Sequence, residues 1–259
     1  MTRLGQHFIT NTGAIQTMVA ALTLEPGDTI IEIGPGRGVL TDGLRIKNSE
    51  VKIISIEKDR ALAQFLKKLY AGESRIEIIE GDALRILSTL VLKLKIKDWK
   101  LIGNIPYYIT GKLLRTLGEI EQKPKVAILT IQREVAERLV AAPPHMNLLA
   151  AATQVWTEPT ILRFLKPGDF SPPPAVQSAI IKLVTKKEII GKKEMESYYR
   201  LIKVLFRQPR KTIWNNLRVG LPHDALMLQK TLLAHGFSEN ARPQDVSLEV
   251  LIKLATSLG

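Results

Sequence analysis

Four consecutive residues, Asn104, Ile105, Pro106 and Tyr107, follow an apolar run and suit chemistry on an exocyclic amino group. The lone pair of an aromatic amine is delocalised into its ring. It becomes a useful nucleophile only when acceptors hold its hydrogens while the nitrogen turns tetrahedral. Asn104 can supply a side-chain oxygen. Pro106 has no N–H and biases the residue before it towards extended backbone, which would aim the Ile105 carbonyl at the same point. Tyr107 adds a flat face for a base. The same residues also fit a plain Pro-Tyr turn after a buried strand, so their meaning depends on what lies upstream.

Upstream, the run 28–33 ends in Glu32-Ile-Gly-Pro-Gly-Arg-Gly38, a glycine-rich turn into a helix that lets a nucleotide-like ligand lie against backbone. Gly34 and Gly36 are its candidate contacts. A dinucleotide fingerprint needs a third glycine at position 39, where this chain has Val39, so a nicotinamide dehydrogenase is disfavoured. Glu57 closes the next apolar run and can accept from both hydroxyls of a ribose. Gly81-Asp82-Ala83 follows the third run, where Asp82 can bond the edge of an adenine. With Asn104 after the fourth, four successive strand ends place Gly34, Glu57, Asp82 and Asn104 on one rim, where open α/β sheets bind ligands.

The elements that must position these residues are legible in the hydrophobic pattern. Short apolar runs at 28–33, 51–57, 75–80, 99–103 and 125–131 alternate with amphipathic stretches such as 59–70 and 133–141, as in a parallel sheet covered by helices. Extended segments at about 155–165 and 176–184 can close the sheet as an antiparallel pair. The fold class expected is a doubly wound, Rossmann-like α/β domain over 1–185 with an antiparallel edge hairpin, then a small all-helical domain over 186–259. A charged, glycine-containing linker is expected over 186–193.

At 259 residues with 45% hydrophobic content, the chain can bury a good-sized core. Its net charge of +12 points to a polyanionic partner, nucleic acid ahead of membrane. No apolar run is long enough to span a bilayer and residues 1–10 lack a signal-peptide core, so a cytoplasmic location is the default. The absence of cysteine excludes disulfides, thiolate metal sites and a cysteine nucleophile.

In order and spacing, these motifs resemble the bacterial small-subunit (16S) rRNA adenine N6,N6-dimethyltransferase family across nearly the whole chain. The matching pieces are Gly5-Gln-His-Phe-Ile9, Glu32-Ile-Gly-Pro-Gly36, Glu57, Gly81-Asp82-Ala83, Asn104-Ile-Pro-Tyr107, Gln132-Arg-Glu-Val135 and Phe170-Ser-Pro-Pro-Pro174 with Val176 and Ser178. The resemblance implies S-adenosyl-L-methionine as cofactor and two transfers per adenine. It implies that His7 and Ile9 touch the cofactor, that Gly34 lies near its methionine portion, that Glu57 holds the ribose and Asp82 the adenine, and that Asn104 bridges cofactor and amine. The chain departs from the family in having His7 where asparagine is usual, a shorter 141–149 region, and Gln208-Pro-Arg-Lys-Thr212 in place of a more uniformly basic stretch.

Phe170 leads into three prolines, a stiff support that can hold its ring against a flipped adenine. A buried phenylalanine before a turn is the alternative. Residues 186–259 carry 13 Lys/Arg against 7 Asp/Glu. Arg207, Arg210, Lys211 and Arg218, interleaved with Phe206 and Trp214, are candidate RNA phosphate contacts, or else part of a solvated basic face. The mechanism expected is direct displacement by the amine, which needs no metal. The expected partner is small-subunit rRNA or an immature 30S particle, met by a monomer, with no membrane. Two other readings stay open: a large-subunit enzyme of the macrolide-resistance type, and a non-catalytic RNA-binding assembly or transcription factor on the same fold.

Overall fold

A computed structural model describes residues 6–47, 50–94, 98–222, 224–238 and 240–258; Gly5 of the first motif lies outside them. The chain forms two compact units, one of residues up to Ala136 with Glu158–Thr185, the other of Glu137–Thr157 with the chain from Lys186 onward.

The first unit holds a seven-stranded sheet. Its elements begin with β1 (Phe8–Ile9), α1 (Thr12–Ala21), β2 (Thr29–Ile33), α2 (Val39–Lys47), β3 (Lys52–Glu57), α3 (Arg60–Leu69), β4 (Ile76–Glu80) and α4 (Ala83–Leu94). β5 (Trp99–Asn104), α5 (Thr110–Glu119), β6 (Val126–Gln132) and the start of α6 (Arg133–Leu139) follow, and the unit resumes with β7 (Thr157–Leu165), β8 (Phe170–Ser171) and β9 (Ser178–Thr185). The sheet order is β4-β3-β2-β5-β6-β9-β7. From β4 to β6 all pairs are parallel, and β9 runs antiparallel to β6. The expected strands are found within a residue or two of their sequence bounds. Helices cover the parallel strands, and β2, β3, β5 and β6 are accordingly mostly apolar and buried along almost their whole length.

Local chemistry starts the helices. Asn11 caps α1 by accepting from the Ala14 N–H at 3.0 Å, and Asp59 caps α3 by accepting from Leu62 at 3.0 Å. The core gathers Ile15 and Met18 from α1 and Leu22 just after it, with Ile30, Ile53, Ile102, Ile128 and Ile180 from the strands. A second, two-stranded sheet was not legible in the sequence: β1 pairs antiparallel with β8, Phe8 opposite Ser171 and Ile9 opposite Phe170.

The second unit is helical. It contains α7 (Leu148–Gln154), α8 (Lys192–Leu205), α9 (Ile213–Gly220), α10 (Ala225–Ala234) and α11 (Leu248–Leu258). The expected linker is shorter than its composition suggested. Glu194 turns back to accept from the Gly191 N–H at 2.9 Å, so Lys192 and Lys193 are already helical. The Tyr198 hydroxyl donates to the Ala151 carbonyl at 2.9 Å and is fully buried, fixing α8 on α7.

Candidate active site

The carboxyl ends of β2, β3 and β5 meet the segment before β1 around one cleft. It is lined by Gln6, His7, Phe8, Gly34, Gly36, Glu57, Asn104, Ile105, Pro106 and Tyr107, with about 490 Å³ of space open to solvent. The glycine turn forms one wall. Gly34, Gly36 and Gly38 take φ of 67°, 60° and 86°, values that cost a side-chain-bearing residue strain. A β-carbon on Gly36 would stand 2.7 Å from the Phe8 ring, so its absence is what lets the N-terminal segment close down on the turn. On Gly34 the nearest neighbour of such a carbon is the Asn104 carbonyl at 3.7 Å, which leaves open space in front of the backbone.

Glu57 stands at the end of β3, 2% exposed, its carboxylate accepting from the Gly36 N–H at 3.0 Å and the Asp59 N–H at 2.8 Å. Burial raises its pKa above the ordinary carboxylate value, and these backbone donors oppose the rise without cancelling it. Each oxygen keeps a lone pair for a ligand hydroxyl. Asp82 is differently placed. It does not line the cleft; Lys58 reaches it at 3.1 Å and the Leu84 N–H at 3.0 Å. Partial burial pushes its pKa up, but these two contacts and the Arg85 charge outweigh that and hold it below the usual range.

Asn104 is the centre of the arrangement. Its side-chain N–H donates to the His7 carbonyl at 2.6 Å, and because a carbonyl can only accept, the amide must turn its nitrogen there. The oxygen is left without a partner among the described residues. Ile105 is 2% exposed, so its side chain anchors while only its backbone can face the cleft. Pro106, at φ −57° and ψ 135°, starts a 3-10 turn over Tyr107–Ile109. The Tyr107 hydroxyl lies 2.6 Å from the buried Ser178 Oγ, which pins the ring. The His7 ring is nearly parallel to it, at 24° with centroids 6.3 Å apart, and its Nδ1 lies 2.8 Å from the Pro172 carbonyl oxygen.

Two further residues expected at the ligand do not line this cleft. Phe170 is 4% exposed and belongs to the apolar core, as does Ile9, 5% exposed. The cause is the β1–β8 ladder: opposite residues of a pair point the same way, so Ile9 and Phe170 turn inward together. Phe8, which the sequence reading passed over, lines the cleft instead, with the Arg37 guanidinium 5.2 Å from its ring centroid. Gln6 was also missed as a lining residue, although both belong to the Gln6-His-Phe8 motif.

The basic residues of the second unit form a separate feature. Arg207, Arg210 and Lys211 are exposed on the loop between α8 and α9, and Arg218 is exposed on α9. None of the four forms an ion pair among the described residues. The loop is held from beneath by Asn216, 7% exposed, whose amide donates to the carbonyls of Gln208, Lys211 and Thr212 at 3.1, 3.4 and 3.1 Å.

Comparison with known proteins agrees with this geometry. A small-subunit ribosomal RNA methyltransferase A from Koribacter versatilis is 35% identical, covering 99% of this chain and 93% of the relative. One of the same name from Dehalococcoides mccartyi is 34% identical over 97% and 86%. In fold, the chain is similar to a dimethyladenosine transferase from Plasmodium falciparum (TM-score 0.78, 24% identity, 96% of each chain). It is likewise similar to the 23S rRNA methyltransferase ErmE (TM-score 0.75, 23% identity, 97% and 99% of the chains). The family model described as Ribosomal RNA adenine dimethylase matches residues 1–256, and the chain therefore belongs to that family, as a methyltransferase of ribosomal RNA adenine on a Rossmann-like fold.

Proposed function

We propose that the protein methylates adenines near the 3' end of small-subunit ribosomal RNA, using S-adenosyl-L-methionine, during ribosome biogenesis in the cytoplasm. The observation that carries this reading is the orientation of Asn104. With its N–H spent on the His7 carbonyl, the side-chain oxygen remains as an acceptor beside Pro106 and the pinned ring of Tyr107. The site suits such a donor: positive-φ glycines bring bare backbone to the cleft, and a buried carboxylate stands at the end of the neighbouring strand.

The bound donor supplies an electrophilic methyl group on a positively charged sulfur. Gly34 and Gly36 would admit it against backbone, and the Glu57 carboxylate would accept from its hydroxyls. Asp82 would take the adenine edge by exchanging its contact with Lys58. Asn104 and the Ile105 carbonyl would hold the hydrogens of the target amine, and Tyr107 would present its face to the base. Phe170 would support this pocket from the core.

Phosphate contacts would come from Arg207, Arg210, Lys211 and Arg218, positioning the RNA without reading its sequence. The partner proposed is an immature small-subunit particle, engaged by a monomer. The test is transfer of labelled methyl groups from S-adenosylmethionine to unmodified small- and large-subunit particles, followed by mapping of the labelled nucleotide. Label on small-subunit adenines is expected; label confined to the large subunit would overturn the assignment.

A further inference from the structure

His7 is the one histidine among the residues lining the cleft, and its surroundings fix its proton. The Pro172 carbonyl can only accept, so Nδ1 must carry a hydrogen at 2.8 Å from it. In the neutral ring, Nε2 is then a bare lone pair, and among the described residues it has no partner. The contact continues the β1–β8 ladder by one rung. Pro172 has no N–H to give, and the imidazole bonds its carbonyl from the opposite strand. Protonation adds a hydrogen at Nε2 only, so this rung survives while the ring becomes a cation within the cleft.

The charged and titratable groups around the ring are few. Arg37 lies over Phe8 from the glycine turn, and Glu57 stands at the end of β3 with backbone donors on both oxygens. Tyr107 is tied to Ser178, and Asp169, before β8, accepts from the Asn11 amide at 2.6 Å. No carboxylate is bonded to His7 to neutralise it among the described residues.

We propose that His7 makes the methyl-donor site sensitive to its own protonation: the neutral ring offers the Nε2 lone pair to a cationic donor, and the imidazolium repels it. This rests on the donor reading of the cleft. Methyl transfer turns the sulfonium into an uncharged thioether, so His7 protonation would discriminate against substrate and spare product. Two unit charges on the order of 6 Å apart, at a dielectric between those of protein and water, repel enough for roughly a tenfold change in affinity.

The test is calorimetric titration of the full chain with S-adenosylmethionine and with S-adenosylhomocysteine at pH 5.5 and pH 8. The sulfonium compound is expected to bind about tenfold more weakly at the lower pH, and the thioether within about twofold at both. His7→Asn retains an amide N–H for the Pro172 carbonyl and cannot become a cation, so it is expected to bring the sulfonium ratio within about twofold as well. Equal affinities at both pH values, equal shifts for both ligands, or a shift that persists in His7→Asn would each overturn the inference. Absence of sulfonium binding at either pH would instead overturn the donor site itself.

Discussion

Folding moves the ionisation of Glu32 towards neutral pH. This residue is fully buried in β2, accepts from the Thr41 and Ser55 hydroxyls at 2.6 and 2.8 Å through one oxygen, and has no partner for the other among the described residues. Burial pushes its pKa from 4.5 up to about 7. The two hydroxyls oppose the rise, and the charges of Glu57 and Asp42 add to it. A carboxyl whose pKa is raised by folding makes the folded state bind more protons than the unfolded one. Its stabilisation is therefore present at low pH and is lost as pH rises from about 4.5 through about 7. At about 1.4 kcal/mol per unit of pKa, the whole effect is roughly 3 kcal/mol, of which about 2 to 3 falls between pH 5 and pH 8. Urea denaturation of wild type and Glu32→Gln across that range reports mainly this term, because groups not coupled to Glu32 titrate alike in both. The wild-type unfolding free energy is expected to fall relative to the variant by that amount. Parallel profiles would refute the reasoning, since they would mean that Glu32 ionises in the fold at no cost.

Asn104→Ala removes the side-chain oxygen proposed to accept from the target amine, together with the donor to the His7 carbonyl. Methyl transfer is expected to fall by about a hundredfold or more, while the thermal midpoint moves little; near wild-type turnover would contradict the acceptor role. Phe170→Ala empties a core position and is expected to cost about 3 to 5 kcal/mol in urea denaturation. A loss of turnover with unchanged stability would show instead that the ring works at the base. Arg210→Ala is expected to weaken RNA binding uniformly across sequences and to lower the slope of log affinity against log salt by about one, read by filter binding at several salt concentrations.

The parts of the fold that were legible are those whose cause is local. The strands β2, β3 and β5 are buried along almost their whole length, so they appear as short, mostly apolar segments, and the residue at or just after the end of each falls on one rim. That is why Gly34, Glu57 and Asn104 could be placed together. What escaped depends on partners far away in the chain. Whether Phe170 faces base or core is set by its pairing with Ile9, 161 residues earlier, through a ladder two residues long. Asp82 looked free because nothing in Gly81-Asp82-Ala83 signals that Lys58 reaches it from the loop after β3. The short α7, capped by Asn147 and rich in alanine, carries too little periodicity to be seen.

The β1–β8 ladder is more than a minor sheet, because it decides how the cleft is closed. By pairing Phe8 with Ser171 it holds the N-terminal segment where Phe8 fills the space left by the missing β-carbon of Gly36. The same pairing brings the His7 carbonyl to Asn104 and the His7 ring to Pro172. One short strand pair thus sets the acceptor orientation of Asn104, the tautomer of His7 and one wall of the cleft. A change at Gly36 would act on all three: the φ of 60° strains any other residue, and a methyl group at 2.7 Å from the Phe8 ring would lift the segment away. Damage to the glycine turn therefore reaches the Asn104 side-chain oxygen without touching Asn104 itself, so loss of activity after such a change would reflect both the donor site and the proposed amine acceptor.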